Sequence, residues 1–208
     1  MAARLIGRVL DRSFYARDAR LLAPLLLNKV LVHHDPDAGR LAARIVEVEA
    51  YAGDEDAGSH GYRGLTKRNA TMFGPPGHLY VYFTYGMHWC ANVVGGTEGV
   101  ASGVLLRAAA PMTGVEVMRS RRPAAKRDAD LCSGPARLTQ ALGLAGAHDG
   151  VDLLRGVVRV LDDGTPPPSE PLVTTRVGLR AGRGDEHPWR FLVPDDPNVS
   201  RVPRGSGR

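Results

Sequence analysis

Within Arg44-Ile45-Val46-Glu47-Val48-Glu49-Ala50-Tyr51, apolar and acidic side chains alternate from Val46 to Ala50, and that alternation predicts an extended strand. Successive strand residues point to opposite faces. Ile45, Glu47, Glu49 and Tyr51 should therefore share one face, and Val46, Val48 and Ala50 the other. The second face is purely apolar and suits a core. The first carries two carboxylates, so it faces solvent, a cleft or a partner. A solvated strand face is the ordinary reading of such spacing.

Working outward, Lys29–His34 is β-branched and extended, and Asp35-Pro36-Asp37-Ala38-Gly39 is turn chemistry. With Leu41–Tyr51 the two runs predict a hairpin. Ahead of it, Asp18 can cap a helix from Ala19 to about Leu27, with Asn28 as a left-handed stop. Pro24 removes an interior hydrogen bond, which predicts a kink or a late start. Residues 52–78 hold too many glycines and prolines for regular structure, and loops of that length are commonly functional. His78–Tyr85, Trp89–Val94 and Gly103–Ala109 read as an antiparallel meander with turns at Tyr85-Gly86-Met87-His88 and Gly95–Gly99. Thr113-Gly114-Val115-Glu116 fits a capping box for a helix ending near Arg122, and Ser133 is placed to cap Gly134–Leu142. Val157–Leu161, Leu172–Gly178 and Trp189–Val193 are the last expected strands, with fraying from Pro194 onward.

The chain has 208 residues, a net charge of +5 and a pI of about 9.6. That length suits one domain, here expected over residues 1–196, followed by an Arg/Gly-rich tail, 197–208. The basic balance favours polyanionic partners. Cys90 and Cys132 cannot build a disulfide framework, which points to a reducing, cytoplasmic setting. No run of 18 apolar residues or secretory leader is evident, so no membrane association is expected. Phosphate-binding P-loops, dinucleotide fingerprints, nucleophile elbows and zinc-deaminase spacings are all missing.

Four aromatics, Tyr80, Tyr82, Phe83 and Tyr85, crowd into six residues of a chain that is 6% aromatic. Sheet packing explains such density readily. Tyr85 resists that explanation, because it precedes Gly86 at a turn where a ring projects outward. Such a ring suits insertion between stacked bases. His60 lies in the glycine-rich loop without the spaced ligands a metal needs. A carboxylate beside aromatic plates, in a basic chain, suits chemistry on a flat, electron-poor ring such as a nucleobase lifted from DNA.

At these residues the chain resembles the alkyladenine (3-methyladenine) DNA glycosylases. The resemblance is carried by Arg44–Tyr51, His60, Thr66–Phe73, Gly77–Asn92, Val104–Ala108, Cys132–Leu142 and Pro188–Phe191, and spans roughly Leu21 to Ser200. It implies a mixed α/β fold, one compact domain with a curved antiparallel sheet and peripheral helices. It implies hydrolytic excision of alkylated or deaminated purines flipped out of duplex DNA, with no metal and no organic cofactor. By position, Glu49 looks like the general base. Tyr51, His60 and Tyr82 look like the rings around the flipped base, and Tyr85 like the intercalating wedge. Asn92 looks like the base discriminator, and Arg107 like a residue near the flipped nucleotide's phosphate. Thr66, Arg68 and Met87 look like DNA contacts. A monomer is expected, cytoplasmic and with the nucleoid if the source is bacterial.

The implied chemistry is sound. Glycosidic cleavage builds positive charge on the sugar, which a carboxylate stabilises while taking a proton from water. No lysine adjoins the motif, so hydrolysis is expected rather than a Schiff-base step. Glu47 either tunes Glu49 or shares its role. The cluster Arg119, Arg121, Arg122, Lys126 and Arg127 either meets phosphates or is a solvated helix end. Two alternatives stand beside the glycosylase: a non-catalytic nucleic-acid-binding module with an aromatic groove, and a hydrolase of nucleosides or glycans using Glu47 and Glu49. Tyr85 favours DNA over free nucleosides, and Glu49 favours catalysis over binding.

Overall fold

The structure, a computed structural model, describes residues 7–200. β1 (Arg8–Val9), α1 (Arg12–Tyr15) and α2 (Ala19–Leu26) lead into the hairpin of β2 (Val30–Asp35) and β3 (Gly39–Tyr51). The meander follows as β4 (Leu79–Thr84), β5 (His88–Val94) and β6 (Gly103–Thr113), then α3 (Val115–Arg121) and α4 (Pro135–Leu142). β7 (Val158–Asp162), β8 (Leu172–Thr174) and β9 (Arg190–Leu192) complete the order. All nine strands join one antiparallel sheet, β1-β7-β2-β3-β6-β5-β4, with β9 on β3 and β8 on β9. β3 is long enough for β2 to pair with its first half and β9 with Glu47–Glu49 on the same edge. The result is a curved mixed α/β domain, as expected.

The local chemistry holds where it rests on backbone needs. The Asp18 carboxylate accepts from the Arg20 amide to start α2, and Asn28 adopts a φ of 65° just beyond its end. The helix starts on time and carries Pro24 in its last turn. Residues 52–78 contain two short 3-10 turns, Gly53–Glu55 and Ala70–Phe73. Side chains rather than a ladder hold that loop. The Asn69 amide donates to the carbonyls of His60 (2.8 Å) and Gly64 (3.0 Å) and accepts from the Thr66 backbone N–H (2.6 Å).

Several expectations need correction. The capping box at residue 113 does not form, because Thr113 is still the last residue of β6 and left-handed Gly114 turns the chain against Leu41. Ser133 does not cap α4; its hydroxyl donates to the Val199 carbonyl (3.1 Å), and Gly134 takes the cap position ahead of Pro135. The strand expected over 172–178 stops at Thr174, where Arg176 turns inward. The chain does not fray at Pro194. The Val193 amide donates to the Val46 carbonyl (2.9 Å), and Ser200 is buried. Residues 201–208 of the expected tail lie outside the described residues.

The alternation of faces expected along 44–51 is also broken, with consequences for the site. The β3–β6 register slips between Ile45 and Glu47 and again before Val48. The slips leave Val46 and Arg107 as extra residues on their strands, a bulge that reverses which side each neighbour faces. Leu41, Ala43 and Ile45 enter the same core as Val48 and Ala50. Ile45 therefore does not share a face with Glu47 and Glu49, contrary to simple alternation. β6 changes in step, since Val104 and Leu106 face that core before the bulge and Ala109 after it.

Candidate active site

The bulge delivers Glu47, Glu49 and Arg107 to one side of the sheet, away from the main core. Both carboxylates are 0% exposed, which removes the solvated-face reading. Buried charges demand partners, and each carboxylate has them. Glu47 accepts from Arg107 Nε (2.7 Å), Arg190 Nε (2.8 Å), and the Ser200 amide (2.6 Å) and hydroxyl (2.8 Å). Glu49 Oε1 accepts from the Val177 amide at 2.7 Å and pairs with Arg107 Nη1 at 3.2 Å. Its Oε2 accepts from the Tyr51 hydroxyl at 2.9 Å. With one hydrogen bond on each oxygen and the Arg107 ion pair on Oε1, a lone-pair site on Oε2 is uncommitted.

Electrostatics fit that arrangement. Burial pushes Glu47 up, but Arg107 and Arg190, with the Ser200 amide, outweigh it and hold its carboxyl below the usual range. Arg107 pays the same burial cost, and Glu49 and Glu47 together raise it above its ordinary value. Burial, then the Glu49 charge, pushes the Tyr51 phenol up, so it stays protonated and donates to that carboxylate.

A cavity of about 230 Å³ opens above these groups, lined by Tyr51, His60, Tyr80, Tyr82, Asn92 and Arg107 among others. Drug-sized ligand sites start at about 300 Å³, so this one suits a single small ring system. Glu49 itself does not line it. Its two hydrogen-bond donors, Tyr51 and Val177, and its ion-pair partner Arg107 do, so the carboxylate sits one side chain behind the wall. Tyr80 and Tyr82, on one face of β4, stack at 5.4 Å and 29°. His60 stands edge-on to Tyr82 (4.4 Å, 71°), and its Nδ1 meets the Tyr80 hydroxyl at 3.1 Å. His60 is thus a cavity wall rather than a plate parallel to Tyr82. Burial first, then Arg68, lowers its pKa and favours the neutral ring. Burial lifts the Tyr80 phenol to about 12. The Asn92 amide nitrogen reaches the Tyr80 carbonyl at 3.4 Å, and no hydrogen bond engages its Oδ1 among the described residues.

Tyr85 lines the mouth and is 83% exposed. The Met87 amide donates to the Thr84 carbonyl (3.2 Å), closing a tight turn. Tyr85 takes a φ of 51° and Gly86 of 68° in that turn. A left-handed backbone is costly for a bulky residue, and so is a bare ring in water, so two penalties fall on one side chain. Met87, also exposed, shares the tip. Thr66 and Arg68 stand farther along in an adjoining groove, and Arg68 Nη2 donates to the Phe83 carbonyl (2.8 Å) beneath the turn.

Sequence reasoning missed the support behind these walls. Arg176 is buried and donates from Nη1 to Asp56 Oδ2 (2.6 Å) and the Ala50 carbonyl (2.9 Å). Its Nη2 reaches Asp56 Oδ1 (2.7 Å) and the Gly184 carbonyl (2.8 Å). Its guanidinium lies 4.6 Å from the Tyr51 ring centroid and 5.0 Å from that of Trp189. It thereby joins the loop after β3 to the segment that brings Val177 onto Glu49. An arginine inside the otherwise apolar or small run Val173–Gly178 was the available signal. Arg190, between Trp189 and Phe191, was a similar one. Among the described residues no group of three or more His, Cys, Asp or Glu side chains is placed to hold a metal, and no helix is long and apolar enough to cross a membrane.

Comparison with known proteins agrees over nearly the full length. The family model described as methylpurine-DNA glycosylase (MPG) matches residues 13–197. A Burkholderia lata protein named "Putative 3-methyladenine DNA glycosylase" is 55% identical over 201 residues, covering 96% of this chain and 94% of its own. Proteins of the same name from Streptomyces avermitilis and Chlorobaculum tepidum are 51% and 45% identical, covering 92% and 94% of this chain and 90% and 92% of their own.

Proposed function

The chain belongs to the methylpurine-DNA glycosylase family and is a DNA N-glycosylase for alkylated bases; we propose that it hydrolyses the glycosidic bond of alkylated and deaminated purines after turning each one out of the duplex into the cavity beside Glu49. The observation that carries this reading is the position of Glu49: both hydrogen-bond donors to its buried carboxylate, and its ion-pair partner Arg107, are walls of the cavity.

In this reading the flipped purine lies among Tyr51, Tyr82 and His60. An alkylated purine is cationic, so it is both a good leaving group and well suited to aromatic faces. Each stacked ring contributes about 1–3 kcal/mol, against a flipping cost of a few kcal/mol that is least at a damaged pair. Asn92 reads the base edge with its free Oδ1. As the bond to the base breaks, the sugar gains oxocarbenium character, which the Glu49 carboxylate stabilises. Water entering between Tyr51 and Arg107 gives its proton to the open site on Oε2 and adds to the anomeric carbon. The base leaves with the bonding electron pair. Arg107, restrained by Glu47, stays beside the reacting nucleotide and keeps Glu49 oriented. Double-stranded DNA is the substrate, and water the only co-reactant.

The test is incubation with duplexes carrying 3-methyladenine, 7-methylguanine, hypoxanthine or ethenoadenine, scored by alkali-labile abasic sites, with EDTA present. Abasic sites should form at alkylated and deaminated purines at the same rate with and without EDTA. Release confined to alkylated bases would limit the reading to them, and EDTA-sensitive release would contradict a water-only reaction.

Tyr85 is assigned the gap that the flipped base leaves in the stack. Tyr85→Ala should weaken affinity for a lesion duplex about 5- to 150-fold, the loss of one base-stacking contact of 1–3 kcal/mol. Its melting temperature should hold, since the ring is 83% exposed and adds little to the core. Unchanged affinity in a fluorescence-anisotropy titration would remove the wedge assignment.

A further inference from the structure

We propose that the arginine-lined groove beside the base cavity is the track for the damaged strand's sugar–phosphate backbone, an inference that rests on the glycosylase reading above. The groove has a volume of about 530 Å³ and shares Gly58, His60 and Tyr80 with the base cavity, so whatever occupies one runs directly into the other. Arg63, Arg68, Arg180 and Arg183 line it with the half-exposed ring of Tyr62. Two chain segments far apart in sequence supply these cations. Gly58 lets them meet, since a Cβ there would stand 2.8 Å from the Arg183 carbonyl oxygen. The Arg176–Asp56 pair locks the two segments together from beneath.

Charge pairing sets the arginines of this groove apart from Arg119, Arg121 and Arg127, on and after α3. Arg119 meets Asp128 and Glu116, Arg121 meets Asp35, and Arg127 meets Asp130. Those cations are already neutralised by the protein. Among the described residues none of the four groove arginines forms an ion pair within 4.0 Å. Like charges gathered without counter-ions repel, and a row of phosphates supplies the missing partner while releasing condensed counter-ions from DNA. Arg68, hydrogen-bonded to Phe83 under the Tyr85 turn, sets the groove's end beside the wedge. A strand leaving the flipped nucleotide therefore passes from wedge to Arg68 to Arg180 and Arg183.

The test is the salt dependence of binding to a short duplex holding a tetrahydrofuran abasic-site analogue, which the enzyme cannot cleave. The variants are Arg180→Ala/Arg183→Ala and, on α3 and its following turn, Arg119→Ala/Arg127→Ala. Each lost phosphate contact lowers the slope of log K against log salt by about 0.9. The groove variant should therefore show a slope shallower by about 2 units, and the second variant the wild-type slope. A wild-type slope in the groove variant, or an equal loss in both, overturns the proposal. Arg180→Gln/Arg183→Gln keeps most of the side chain's length and serves if the alanine variant melts early. Release of 3-methyladenine by the wild-type protein is measured in parallel. Its failure strikes the glycosylase reading, whereas unchanged slopes with normal release strike only the groove.

Discussion

Glu49→Gln should lower single-turnover release of a methylated purine by about 10²- to 10⁴-fold, the usual contribution of a general base, and leave lesion-duplex affinity at the wild-type level. Glutamine has the same shape. Its carbonyl can still accept from the Val177 amide, and its NH₂ can donate to the Tyr51 hydroxyl oxygen. Arg107 keeps a buried counter-charge in Glu47. The cavity walls therefore stay in place, and what is lost is the negative charge and the proton acceptor. A variant that excises at a rate within a few-fold of wild type would show that some other group activates water. A variant that no longer binds, or that melts early, would show that the carboxylate holds the walls rather than performing chemistry.

Arg176→Met should destabilise the protein by about 3–5 kcal/mol, because it leaves Asp56 as an uncompensated charge in the interior. Both side chains of this pair are fully buried. For a chain of this size the loss corresponds to a fall in melting temperature of roughly 6–20 °C, a large share of the 5–15 kcal/mol typical of a folded domain. Arg176→Lys should recover only part of it, since an ammonium cannot reproduce the two parallel bonds to Asp56. Removing both charges, Arg176→Met with Asp56→Asn, should cost less than the sum of the single changes, as contacting residues are coupled. A loss below about 1 kcal/mol in denaturant titration for Arg176→Met would mean that water reaches Asp56 and that the pair is not the lock described above; that bound corresponds to an exposed pair.

These two residues also mark the boundary of what can be read from sequence. The β2–β3 hairpin and the β4–β5–β6 meander were legible because alternation and turn residues are local signals. Tyr85 was legible as an exposed ring for the same reason. Ile45 was misplaced because a bulge depends on both strands at once, and neither Val46 nor Arg107 announces it alone. Ser133 and Thr113 look like helix caps in isolation, but one hydroxyl is committed to Val199 and the other residue to a strand. The burial of Glu47 was illegible because its partners lie from 60 to 153 residues away. Arg176 was missed for that reason too, with Asp56 standing 120 residues earlier. Glu49, Tyr51, His60, Tyr82, Asn92 and Arg107 were named through resemblance. The physical reason they gather, a shared bulge and a locked pair of loops, appears only in three dimensions.

The bonds from Ser200 to Glu47 set a timetable for the newly made polypeptide. Glu47 leaves the ribosome 153 residues ahead of the amide and hydroxyl that complete its shell. Until residue 200 has emerged, the anion that restrains Arg107 lacks two of its four donors. The centre is thus among the last features to mature during translation, and a prematurely halted product is denied the finished arrangement however well its sheet has formed.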